Sequence, residues 1–472
     1  MPVLAHSSND LILDIFDKKI TIKNVDKFVI NNNILVYNVN DDLYRFDLSN
    51  LKALSSILKN SSLCKLSTSI HELKLSKNGS KIGLLLRNLD LFVFSNSQLV
   101  LTKSKINSFN ISDNLVGYET DNDFILQDIN TKEVIHKSPY NYQSFFVFNE
   151  FAILATTKRK NNNDEDEFKL YKVDKEGINE FGSFNSLVNI QCKSNSNENF
   201  VLLNLSTSYV KNSYFASTIL YLYDAIKNTF LRVNKLTNIL DFTFISDGFC
   251  VVYGNQPSYV TCFDYEFNII DKFPKGIRNR IYLNHQESYV VTAGFEQLAG
   301  NVEVFEKNSK EKFFTANELG ASKIEWDTTG SYYYVSTLKY LKEDNRVSKY
   351  DYFGRLIATE NFECLHDAAV FGPIEKFEIL KKPEEKIVEK REEVYVPSIL
   401  KGKSTFKVTA PVPKIKHKLH ETEEELIQKI SNIEMLKKRL ENNEKLEIEE
   451  LNLILNEGKI KKKLDFIQKN KK

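Results

Sequence analysis

This chain is poor in the residue types that usually announce chemistry. Its 472 residues include five cysteines, seven histidines, two methionines and a single tryptophan, Trp326. Cys64, Cys192, Cys250, Cys262 and Cys364 are scattered and odd in number, with no CxxC and no Cys/His pair at metal-ligand spacing. Reduced, mostly buried thiols are therefore expected, with no metal site and no cofactor. No charge of one sign prevails: the net charge is +1, so any affinity for nucleic acid has to come from local clusters. No apolar run approaches the ~18 residues of a membrane span, and the first residues carry no basic stretch ahead of an apolar core. These absences lead to the expectation of a cytoplasmic protein without a membrane partner. Motifs for catalysis are missing too. There is no GxSxG, no HExxH and no phosphate loop, and AGFEQLAG (293–300) lacks the GK[ST] ending. The chain does not read as an enzyme.

What is abundant is Phe (33) and Tyr (22), residues that suit pleated, half-buried surfaces. They fall into a repeat. A short strand ending in an acidic or small polar residue recurs at 43–47, 91–95, 124–128, 170–174, 220–224, 260–264, 302–306 and 347–351, at spacings of 33 to 50 residues. Between these marks lies a strand–turn–strand, clearest at 72–86, 241–254, 281–294 and 323–337 and weaker near 27–38, 105–118, 144–155 and 188–205. Eight hairpins at this period indicate an all-β, WD40-like propeller of four-stranded blades. Segment 367–380 opens a ninth unit with no outer strands after it, and 10–22 supplies two spare strands. Joining the two ends removes exposed sheet edges, so nine blades over residues 1–380 are favoured, against eight or seven plus a domain. The acidic strand ends recur once per repeat, as turn residues do, rather than as a metal-dependent hydrolase funnel. Trp326 falls in a blade strand and reads as core.

After Leu380 the pattern changes. Residues 381–420 hold four of the nine prolines and dense mixed charge, an extended linker with one apolar island, VYVPSIL (394–400). Tyr395, Pro397 and Leu400 mark it as a docking candidate. From Glu421 to Lys472, Leu426, Ile430, Ile433, Leu436 and Leu440, then Ile448, Leu451, Leu455, Ile460, Leu464 and Ile467, describe a short helical hairpin opened by a Thr422/Glu425 capping pair. Lysines bunch on it: Lys437, Lys438 and Arg439, then Lys459, Lys461, Lys462 and Lys463. They form either a solvated face or a phosphate-contacting one; their position on a tethered helical tail favours RNA contact. A second candidate is the turn PKGIRNR (274–280), with Lys275, Arg278 and Arg280. It is either a binding loop or a structural turn fixed by Gly276. The basic patch at 158–160 faces an acidic run and reads as a low-complexity insertion.

Several segments together resemble the eukaryotic translation initiation factor 2A family, nine-bladed propeller proteins with a helical C-terminal tail. They are PKGIRN, AGFEQLAGNVEVFE (293–306), IEWDTTGSYYYVST (324–337), KYDYFGRLI (349–357), TSYVKNSYFASTILYLYD (207–224), VYVPSILKGKS (394–404) and residues 427–455, all in family order. Ile277 stands where the family has Pro, and the linker is shorter than in larger relatives. The resemblance implies a non-enzymatic initiation factor. Its partners would be the small ribosomal subunit and initiator methionyl-tRNA, bound without GTP, with messenger RNA and other initiation factors as further partners. The alternatives are a propeller scaffold for protein assembly, or a relative of subunit b of initiation factor 3. That subunit carries an RNA-recognition domain ahead of its propeller, whereas strand patterns here begin about ten residues in.

Overall fold

A computed structural model describes residues 3–14, 16–17, 19–49, 56–57, 62–139, 142–158, 167–185, 187–207, 218–234, 236–339, 344–380 and 433–435. Within them are nine four-stranded antiparallel sheets, each following the last along the chain. Blade 1 spans 25–65, blade 2 70–103, blade 3 108–138, blade 4 144–185, blade 5 187–232, blade 6 239–276, blade 7 280–317 and blade 8 323–361. Blade 9 is composite. Leu365–Val370 is its inner strand, and Val3–Ser7, Asp10–Leu13 and Ile20–Ile22 complete it. The seam is the pairing of Val3–Ser7 with Leu365–Val370, with Val3 opposite Val370 and Ala5 opposite Ala368. The expected closure is thus present, but it takes three N-terminal strands rather than two. The additional strand, VLAHS at 3–7, has no sequence signature, because five residues without a turn signal ahead of them offer no period to read.

Local chemistry sets the hairpins. Asn31 pairs with Ile34, and the two residues between them, Asn32 and Asn33, have φ of 43° and 63°. That is the double left-handed turn whose twist matches paired strands, and Asn adopts it readily. The acidic strand ends have an equally local role. Asp47, Asp128, Asp174, Asp224, Asp264 and Asp351 each accept a hydrogen bond at 2.9–3.1 Å from the backbone N–H two residues on. They cap the turn into the outer strand.

Burial follows position within a blade. Second strands such as Lys81–Leu86 are buried at every residue, because neighbouring blades cover both faces. Outer strands such as Lys312–Asn317 are largely exposed. Core clusters therefore lie between blades: Leu85, Leu91 and Val93 of blade 2 pack on Phe109, Val116 and Tyr118 of blade 3. Gly83 is what lets them meet, since a Cβ there would fall 2.3 Å from the Phe109 ring. Trp326 is core, packed against Tyr333 and donating Nε1–H to the Tyr282 carbonyl at 3.3 Å.

Each inner strand leaves one edge unpaired toward the channel, and at four of the nine blade junctions a lysine of the preceding blade bonds a carbonyl there. Lys27 donates to His71 O at 2.5 Å, Lys74 to Phe109 O at 2.6 Å, Lys193 to Phe242 O at 2.6 Å and Lys323 to Ala368 O at 2.6 Å. Two of these ammonium groups also lie over the ring of the residue they bond, Lys74 at 5.0 Å from Phe109 and Lys193 at 4.9 Å from Phe242. These cations staple one blade to the next instead of facing a ligand.

One expectation fails outright. Cys250 and Cys262, predicted to be free thiols, form a disulfide. They stand directly opposite each other on neighbouring strands of blade 6, a proximity that a separation of 12 residues does not signal.

Past the seam, residues 371–380 are not a strand. They run as a strap over blades 7 and 8. Phe377 stacks on Tyr289 and packs at a tilt against Tyr352, Glu378 N–H donates to Ser331 Oγ at 2.8 Å, and Leu380 N–H donates to Tyr352 Oη at 3.0 Å. The chain divides into two compact units, Met1–Lys386 and Ile387–Lys472. In the second, the described residues Ile433–Met435 are helical.

Candidate nucleic-acid interface

Strand direction sorts the loops. Turns joining first to second and third to fourth strands emerge on one face of the ring, and the remaining connections emerge on the other. The turn 277–279 joins blade 6 to blade 7 and belongs to the second face, beside the loops 254–257 and 294–300. The three interlock. Gln256 Nε2 and Ser258 Oγ both donate to Arg278 O at 2.7 Å, and Arg278 N–H donates to Gln256 Oε1 at 3.1 Å. Asn279 Oδ1 accepts from Phe295 N–H at 2.9 Å, while its Nδ2 donates to Phe295 O at 3.0 Å.

The three candidate cations of this turn differ sharply. Arg278 is 1% exposed. Its Nη2 donates to Pro274 O at 2.6 Å, its Nη1 to Thr292 Oγ1 at 3.3 Å, and its guanidinium lies 5.3 Å from the centre of the Phe305 ring. Glu303 Oε2 sits 3.3 Å from Nη2 as an opposite charge, without hydrogen-bond alignment. Burial lowers the Arg278 pKa and the Glu303 carboxylate opposes that shift. Arg278 is therefore a structural residue, and its place among RNA-contacting candidates is corrected: a side chain with no free surface cannot reach a phosphate. Gly276 belongs to the same arrangement. A Cβ on it would fall 2.2 Å from Arg278 Nη2, so the glycine is required by the space the guanidinium occupies.

Arg280 is half-buried and paired with Glu296 at 2.5 Å, and its Nη1 donates to the Leu240 and Asn279 carbonyls. Lys275 alone of the three is exposed, its ammonium 4.3 Å from the centre of the Tyr259 ring. A cation above an aromatic ring can serve a phosphate and a base together, but one lysine is a small footprint. Lys437, Lys438, Arg439, Lys459, Lys461, Lys462 and Lys463 lie outside the described residues, as do Tyr395, Pro397 and Leu400.

The opposite face carries a feature that the sequence did not announce. A groove of about 800 Å3 is lined by Asp128, Glu150, Phe151, Asp174, Glu198 and Ile226, among others, from the turns of blades 3, 4 and 5. Lys172 and Lys175 enter it, but each lies within 4 Å of a carboxylate, Asp174 at 2.9 Å and Asp128 at 3.8 Å. Excess carboxylate in the groove disfavours a polyanion there. Among the described residues no group of His, Cys, Asp and Glu could hold a metal ion, and no helix is long and apolar enough to cross a membrane.

Comparison with known proteins agrees with the propeller. A solved structure described as a eukaryotic initiation factor superposes with a TM-score of 0.61, covering 78% of this chain and 97% of that one at 16% identity, a likeness of fold. Curated relatives named eukaryotic translation initiation factor 2A match in sequence. The Saccharomyces cerevisiae protein is 27% identical over 164 residues, 32% of this chain and 26% of that protein. The Drosophila melanogaster protein is 30% identical over 110 residues, 23% of this chain and 17% of its own length. The Schizosaccharomyces pombe protein is 25% identical over 174 residues, 36% of this chain and 30% of that protein. The matched segments thus span less than a third of each relative. The family profile described as eukaryotic translation initiation factor eIF2A matches residues 182–368, which contain the Arg278 loop cluster and the strand–loop–strand that follows it. Over residues 182–368, less than half of its length, the chain is similar to the eukaryotic translation initiation factor 2A family.

Proposed function

We propose that this chain acts in translation initiation by binding the small ribosomal subunit and promoting GTP-independent binding of initiator methionyl-tRNA. The observation that carries this reading is the family match over blades 5 to 8 and part of blades 4 and 9. Charge distribution supports a division of labour. Two of the three turn cations of the propeller are buried or paired, while the sequence places seven cations of the candidate set between 437 and 463. In this reading the ring is a rigid docking body, and Lys437, Lys438, Arg439, Lys459 and Lys461–Lys463 neutralise RNA phosphates, with Lys275 as an accessory contact. The apolar island at Tyr395, Pro397 and Leu400 docks on a protein partner.

Sedimentation with purified small subunits across a salt series tests it. Deletion of 421–472 is expected to weaken co-sedimentation and flatten its salt dependence, because a chain that neutralises fewer phosphates releases fewer counterions on binding. Equal binding and equal salt slope for the truncated chain would overturn the assignment. A protein-scaffold role is the second reading, and the acid-lined groove on blades 3 to 5 favours it as a surface for basic segments. Association that survives high salt, and disappears when protein partners are stripped from the subunits, would select that role.

A further inference from the structure

Where the two ends of the ring meet, three groups converge that the initiation reading does not use. Cys364 precedes the inner strand of blade 9, and its Sγ lies 3.6 Å from His366 Nε2. His6, on the strand that closes the seam, has its ring centre 5.1 Å from that of His366. The geometry is held by the closure itself. Ser8 N–H donates to Cys364 O at 2.9 Å, and His6 Nε2 is 3.0 Å from Val25 O, which ties blade 9 to blade 1. The edge of the Phe28 ring packs on His6 at 5.4 Å.

We propose that Cys364 is a reactive thiol, a covalent modification site that takes low-molecular-weight disulfides, with His366 accepting its proton. In the exchange the Sγ proton passes to His366 Nε2 and the sulfur attacks one sulfur of the disulfide. The new S–S bond forms as the old one breaks, and the departing thiolate recovers the proton from the imidazolium. The small disulfide is itself the oxidant, reduced to one thiol as Cys364 is oxidised. The product is a mixed disulfide at the seam and one free small thiol.

All three free thiols are partly exposed, and what favours Cys364 over the other two is the imidazole beside it. Cys364 is partly exposed and its neighbouring His366 is exposed. Burial, and then the positive influence of His6 and Lys339, lowers the His366 pKa, so its ring is neutral and able to accept a proton at neutral pH. Cys192 packs against the core between blades 4 and 5, and burial pushes its thiol pKa far up. Cys64 is raised as well, by burial and by Asp42. A partly exposed cysteine with a neutral imidazole nitrogen 3.6 Å from its sulfur has a base in place to take its proton.

The test uses the folded full-length chain exposed to oxidised glutathione, and separately to iodoacetamide, with peptide mass spectrometry following each cysteine over time. Cys364 is expected to react at least about ten-fold faster than Cys64 or Cys192, a modest share of what a positioned base can contribute. His366→Gln keeps a polar group of similar size but cannot take the proton. It should slow Cys364 by about the same factor while leaving the Cys64 and Cys192 rates unchanged, which also reports that the fold is intact. Equal rates at the three thiols, or a Cys364 rate unaffected by His366→Gln, would overturn the proposal.

Discussion

Replacing Arg278 by Ala separates a structural turn from a binding loop. The change removes donors to Pro274 O and Thr292 Oγ1, the stack on Phe305 and the positive charge beside Glu303. Breaking a buried pair by removing one member costs about 3–5 kcal/mol. Glu303 keeps Lys312 at 3.2 Å, so the lower figure of about 3 kcal/mol applies. For the unit Met1–Lys386 the unfolding entropy is roughly 0.8 kcal/mol/K, so this corresponds to a drop of about 4 °C in Tm. Gly276→Ala supplies the internal check. Its Cβ would lie 2.2 Å from the guanidinium, an overpacking cost of about 1–3 kcal/mol that should largely vanish once Arg278 is Ala. The two substitutions should therefore be strongly non-additive in a double-mutant cycle measured by calorimetry. Additive costs, or an Arg278→Ala protein with unchanged Tm but weakened ribosome sedimentation, would refute the structural assignment and restore the loop as a binding element.

Three further outcomes are expected. Lys74→Met and Lys193→Met keep the stem over Phe109 and Phe242 but lose the bond to the next blade, so each should lower stability by about 1–2 kcal/mol in urea titrations. Ala5→Asp buries a carboxylate in the seam cluster with Tyr334, Val347 and Leu365, and should cost more than about 4 kcal/mol, read as loss of cooperative unfolding in calorimetry. Burial lowers the His136 pKa below 6.5. The unfolded chain therefore takes up the proton first as pH falls below about 6.5, and the folded state loses stability through that window while staying flat above it. His136→Gln should remove that part of the Tm difference between about pH 7.5 and about pH 5.5, the two sides of that window; an unchanged difference would exclude His136 as its source.

Periodicity and turn chemistry are local, which is why they are legible. The third strands of blades 1 to 8 can be marked one by one because each ends in a residue that turns the chain, and Asp128 or Asp264 does so by bonding a backbone two residues away. Residues whose meaning depends on another blade or a distant strand carry no such mark. Arg278 has the sequence context of a surface cation, and only Thr292, Glu303 and Phe305 reveal that it is interior. Lys27, Lys74, Lys193 and Lys323 are scattered charge until each meets a carbonyl on the following inner strand. Cys364 and His366 are two positions apart on the chain, yet their pairing with His6 exists only because the ends of the ring close together.

By itself, then, the amino-acid sequence determined the propeller architecture and favoured nine blades, since strand period, turn residues and segment order are properties of short stretches. Tertiary structure alone decided which cations of the ring are free, which cysteines are joined and how the ring is fastened. Those outcomes depend on burial and distance between residues far apart in the chain, quantities that only the closed ring defines.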